Sequence, residues 1–133
     1  MKRRNIHGES VIRCENHLIH STVIGATNNE YSLTWFEEVV EHLESDQNNT
    51  IKPWVLLHDC RQWLGSSEDS WETNNRQTEW MLNNGCVLLA VVLSRKLQDF
   101  TLDSKIETSN YLVFFDYDEA YQACLDKVEE FYC

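Results

Sequence analysis

Basic residues are scarce: eleven Lys and Arg against twenty-two Asp and Glu leave this 133-residue chain at −11. Tight binding of a polyanion needs clustered Lys and Arg to displace counterions, so nucleic acid and anionic membrane are excluded as partners. Long apolar runs are missing too. The longest, residues 86–93, is eight residues, against the roughly 20 that a spanning helix needs. The five cysteines, Cys14, Cys60, Cys86, Cys124 and Cys133, are odd in number and contain no CxxC pair. Neither a disulfide framework nor a zinc knuckle has its spacing, and reduced thiols in the cytoplasm are expected. There is no Gly-rich phosphate loop, nucleophile elbow or metal signature, so no cofactor or metal is expected and an enzyme ranks last. Lys2-Arg3-Arg4 has no apolar segment behind it, and residues 1–8 read as a frayed terminus rather than a signal peptide.

What is present is a core. Hydrophobic residues make up 42% of the chain, with five each of Trp, Tyr and Phe, more large apolar surface than a disordered acidic chain carries. The length suits one domain, placed over residues 9–133. Residues 11–14 and 18–24 alternate as a hairpin. Leu33, Phe36, Val40 and Leu43 form the stripe of a first helix ending near Ser45, with a polar loop at 46–50. The run 54–60 lacks alternation, as a central parallel strand covered on both faces does. Serine caps and early acids place a second helix over 67–83, stopped by Asn84-Gly85. Residues 86–93 are a second buried strand, 94–100 a short helical turn, and 111–115 the last strand. Asp116 and Glu119 form a capping box, and Tyr117, Ala120, Cys124, Val128 and Phe131 make the inward stripe of a closing helix. This order implies an α/β fold: a mostly parallel four- to five-stranded sheet with an N-terminal hairpin and helices on both faces.

Three segments carry a resemblance to a known family. They are Gly25-Ala26-Thr27-Asn28 entering the first helix, Pro53-Trp54-Val55-Leu56-Leu57-His58-Asp59-Cys60-Arg61-Gln62-Trp63 through the central strand, and Phe114-Phe115-Asp116-Tyr117-Asp118-Glu119-Ala120 at the last strand-to-helix turn. Over about four-fifths of its length the chain resembles the SpoIIAA-like, STAS-type superfamily of small bacterial proteins. That resemblance implies a non-catalytic domain, similar to anti-sigma-factor antagonists and transporter tails, that docks proteins or senses small ligands. The antagonist branch has a phosphorylatable serine in an Asp-Ser-Ser-Gly-type motif. Here the turn reads Asp59-Cys60-Arg61-Gln62-Trp63-Leu64-Gly65-Ser66-Ser67, longer and without the motif. Ser66 and Ser67 are then phosphorylation candidates beside the plainer reading as N-capping serines.

Among other constellations, His58-Asp59-Cys60-Arg61 ends a parallel strand, where open α/β sheets place ligands. His58 and Cys60 share one face, about 7 Å apart at roughly 3.3 Å per residue, which is awkward for a nucleophile pair. A core His, a buried Cys and an Asp59–Arg61 pair are the plainer roles. His17 and His20 near Cys14 lie on opposite faces of an extended strand and do not suit a metal. Helix two is the least ordinary element, with the interior Asn74-Asn75-Arg76-Gln77-Thr78 poor in apolar residues. Trp63, Trp71 and Trp80 cluster around it, and with Arg61 and Arg76 they form the kind of patch enriched in interfaces. Against this stands the reading in which all three rings fill core and pocket wall.

Twelve of the twenty-two acids lie on the first and last helical segments, opposed there only by Lys127. With a reversal of winding after the second strand, these helices share one acidic face, leaving a more neutral, Trp-bearing face around helix two. The leading expectation is an interaction module that docks a protein partner or forms a homodimer through that face. The alternative is a small-ligand binder with a Trp-lined pocket at the C-terminal end of the central strand, near His58.

Overall fold

The computed structural model describes residues 6–45, 53–94 and 110–132. The expected loop at 46–50 and most of the turn at 94–100 lie outside them. The chain opens with β1 (Glu9–Glu15) and β2 (Leu18–Thr27), an antiparallel hairpin whose two-residue turn puts Asn16 at φ 55°, a left-handed position that Asn tolerates better than most residues. There follow α1 (Asn29–Glu44), β3 (Trp54–Ser66), α2 (Ser70–Asn83), β4 (Cys86–Leu93), β5 (Tyr111–Phe114) and α3 (Tyr117–Tyr132). The sheet runs β1-β2-β3-β4-β5, parallel from β2 onward. This is the expected α/β sheet with an N-terminal hairpin and helices on both faces.

Strand parity divides the core. Trp54, Leu56 and Cys60 face α1 and α2, whereas Val55 and Leu57 face α3 together with Ala90 and Val92. The two helices of the first layer touch directly: the Gln77 amide donates to the Ser32 carbonyl at 3.0 Å, and Trp80 packs edge-on against Phe36, centroids 5.3 Å apart. The expected reversal of winding is therefore absent. Because spatial strand order follows chain order, successive right-handed crossovers advance in one direction and leave both helices on one side. The acids of α1 and those of α3 lie on opposite faces, and α2 adds Glu72 and Glu79 to the α1 layer. A single acidic face opposite a neutral one is overturned.

Three local expectations also shift. The buried stripe of α1 is Ser32, Trp35, Val39 and Leu43, one residue back from Leu33, Phe36 and Val40. Trp35 turns inward because its indole N–H finds the Ser21 hydroxyl at 2.7 Å, the polar partner a buried Trp needs. The strand β3 does not stop at Cys60, since a ten-residue β2 pairs with it as far as Thr27↔Ser66. As a result α2 starts at Ser70 rather than Ser67, and neither Ser66 nor Ser67 caps it; the N-cap position is Asp69, without a side-chain bond. On α3, Asp116 accepts the Glu119 N–H at 3.1 Å as expected, and Ala120 and Cys124 are fully buried. Phe131 is 50% exposed instead of inward. The last turn is held by its neighbour Tyr132, which stacks on His17 at 3.6 Å and donates to the Pro53 carbonyl.

Candidate functional site

A short apolar inventory on α2 has a packing consequence. Only Ser70, Gln77 and Met81 of its fourteen residues are buried, so this helix fills its share of the space over the sheet poorly. Between α1, α2 and the sheet lies a partly enclosed cavity of about 150 Å³. Trp35, His58, Cys60, Trp63, Trp71 and Gln77 contribute to its wall, and no described lining residue is Asp, Glu, Lys or Arg. In a chain that is 25% charged, the described part of this wall is neutral.

Trp63 reaches that wall because β3 is irregular. Simple alternation from His58 sends residue 63 to the opposite face. Pairing with β2 instead steps from Thr22↔Asp59 to Ile24↔Gln62, and later from Gly25↔Trp63 to Thr27↔Ser66, so β3 carries an extra residue twice. Such bulges re-aim side chains. The second contains Gly65 at φ 109°, a backbone that L side chains rarely adopt. Thr27 locks the result: its hydroxyl accepts the Trp63 indole N–H at 3.1 Å and lies 2.9 Å from the Ser66 hydroxyl.

His58 sits deeper on the same wall. Its Nδ1 is 3.1 Å from the Ser21 hydroxyl, and its ring lies 5.0 Å from that of Trp35. Burial pushes its pKa down from 6.5 to about 4, against a small opposing pull from Asp59, so the imidazole is neutral at physiological pH. Burial pushes the Cys60 thiol well up, and neighbouring Asp59 adds to the effect. No hydrogen bond joins Cys60 to His58 among the described residues. The pair forms part of a wall rather than an activated nucleophile.

The remaining candidates are elsewhere. Arg61 faces α3, where Nε and Nη2 each donate to Asp59 at 2.8 Å, its backbone N–H adds a third bond at 3.2 Å, and the guanidinium lies 4.9 Å from the Tyr117 ring centre. Burial alone would raise the Asp59 carboxyl, but the Arg61 bonds hold it below its usual range. Arg76 pairs with Glu72 on the outer surface of α2, and Trp80, 36% exposed, borders that surface. The Ser67 hydroxyl donates to Asp69 outside the cavity. His17 lies on Tyr132, whereas His20 is buried beside Tyr117. Trp63, Trp71 and His58 thus come together, while Arg61, Arg76 and Trp80 do not join them. Ser21, Thr27 and Gln77 were missed by sequence reasoning, because no local pattern distinguishes a polar strand or helix residue that bonds across the core.

The architecture is that of a SpoIIAA-like α/β domain. The structure is similar to an anti-sigma factor antagonist from Mycobacterium paratuberculosis, with 12% identity, 90% of this chain and 96% of that one covered, and a TM-score of 0.61. It is also similar to an uncharacterized protein of the DUF3478 family with a SpoIIAA-like fold from Shewanella loihica PV-4, with 16% identity, 93% and 98% covered, and a TM-score of 0.58. No protein-family model and no curated protein matches the chain. At these identities the likeness establishes the fold. No helix among the described residues is long and apolar enough to cross a membrane.

Proposed function

We propose that residues 9–133 form a non-catalytic, cytoplasmic regulatory domain that holds a small molecule in the cavity beneath α2. One observation carries this reading: Trp63, Trp71 and His58, brought together by a bulged strand and a poorly filling helix, line one space whose described wall carries no Asp, Glu, Lys or Arg. Ligand sites are usually concave, largely apolar and furnished with a few placed polar groups. The protonated Cys60 thiol and neutral His58 fit a wall better than a reaction centre. Phosphorylation of Ser66 or Ser67 has no part in this reading. A thermal-shift screen against a metabolite panel tests it, because a ligand bound only by the native state raises apparent stability by mass action. A hit that disappears in Trp71→Ala supports the reading; stabilisation that survives unchanged in that variant contradicts it.

A second reading, docking of a protein partner or a second copy through the outer surface of α2, is favoured by the half-exposed Trp80 beside Arg76. It predicts a concentration-dependent mass on size exclusion that Trp80→Ala or Arg76→Glu abolishes without unfolding. A mass that stays monomeric across concentration counts against self-association.

A further inference from the structure

The polar chemistry of the cavity follows from one buried hydroxyl. Ser21 is 1% exposed, and the Trp35 indole, which only donates, gives it a hydrogen bond at 2.7 Å. The remaining partner of that hydroxyl is Nδ1 of His58 at 3.1 Å. Were Nδ1 protonated, Ser21 would accept twice and its own proton would be buried without an acceptor, which is costly. With Nδ1 unprotonated, Ser21 accepts from Trp35 and donates to His58, and the buried hydroxyl is satisfied both as acceptor and as donor. The neutral ring then carries its proton on Nε2. No hydrogen bond engages Nε2 among the described residues, and His58 is part of the cavity wall. The space therefore contains a fixed donor.

Size and charge narrow the occupant further. A dry cavity of roughly 150 Å³ is known to accept a benzene-sized guest, and this one matches at about 150 Å³. Among the described residues the wall offers no Lys or Arg to pair a bound anion and no Asp or Glu to pair a cation, and an unpaired charge carries a large desolvation cost. Trp35, Trp63 and Trp71 supply faces for a flat ring.

We propose that the cavity is built for an uncharged, single-ring ligand that presents a hydrogen-bond acceptor, such as a carbonyl oxygen, to Nε2 of His58. The proposal rests on the ligand-binding reading above and specifies its chemistry. Three probes of similar size test it by tryptophan fluorescence titration: acetophenone, α-methylstyrene, which replaces the carbonyl by a methylene of the same shape, and benzoate. Acetophenone should bind about three- to tenfold tighter than α-methylstyrene, the range one net hydrogen bond supports, and benzoate at least tenfold more weakly than either. His58→Phe should erase the preference for acetophenone while retaining α-methylstyrene. Long-range 1H–15N spectra of the unsubstituted protein should place the His58 proton on Nε2, a readout that does not depend on the variant folding. A proton on Nδ1, equal affinities for the two neutral probes, or tightest binding of benzoate overturns the proposal. If all three probes fail but a charged metabolite stabilises the protein through Trp71, the ligand class is wrong and the cavity reading stands; if the panel also fails, both fall.

Discussion

Replacing His58 by Gln should change how stability depends on pH more than it changes stability at pH 7. The imidazole titrates near 6.5 in an unfolded chain and at about 4 in the folded one, because burial disfavours its charged form. Between these values the unfolded state binds the proton and the folded state does not, so stability rises with pH. The contribution is whole above about pH 6.5 and is lost as pH falls toward about 4. At about 1.4 kcal/mol per pH unit, the gap between 6.5 and about 4 amounts to about 3 kcal/mol. Asp59, next along the strand, opposes the effect of burial; its own carboxyl is lowered chiefly by Arg61, which both proteins keep, with His58 the last of the causes. Urea unfolding at pH 4, 5, 6 and 7 should therefore show the wild-type protein losing about 3 kcal/mol more than His58→Gln between pH 7 and pH 4. Stability curves that run parallel for the two proteins would refute the partly buried, neutral imidazole and the hydrogen-bond assignment built on it.

Two further substitutions test the frame around the cavity. Gln77→Ala removes the amide that bonds α2 to the Ser32 carbonyl of α1; a loss of about 1–2 kcal/mol in urea unfolding is expected, and an unchanged midpoint would mean the bond does not tether the helix. Arg61→Ala strips a 7%-exposed Asp59 of its bidentate partner and should cost about 1–2 kcal/mol at pH 7, discounted for the half-exposed Arg. Asp59 is held below its usual pKa, so that cost is present above about pH 4 and fades as pH falls through the lowered value; a cost that grows toward acid pH contradicts the pairing.

How far the sequence reading carried is clearest in individual elements. The strand β4 is legible to the residue, because eight consecutive apolar side chains between Gly85 and Ser94 leave a double-covered strand as the consistent reading. The end of β3 was not, since residues 61–66 look like a turn and become strand only by pairing with the long β2. The side taken by Trp63 was hidden for the same reason: a bulge is a property of two paired strands. The relative placement of α1 and α2 depended on strand order, which local pattern does not encode, and the proposed acidic asymmetry failed with it. The polar interior of α2, poor in apolar residues, was visible from Asn74 to Thr78, and it is that feature which leaves room for the cavity.

The central claim, a small-molecule site beneath α2, is tested most directly by the five tryptophan indole N–H signals. In a 1H–15N titration with acetophenone, the signals of Trp35, Trp63 and Trp71 should move together with one dissociation constant. Those of Trp54, fully buried with its N–H on the Asn84 carbonyl, and of Trp80, outside the cavity, should stay in place. Movement confined to Trp80, or none at any indole at millimolar acetophenone while metabolite ligands also leave all five unmoved, contradicts the account.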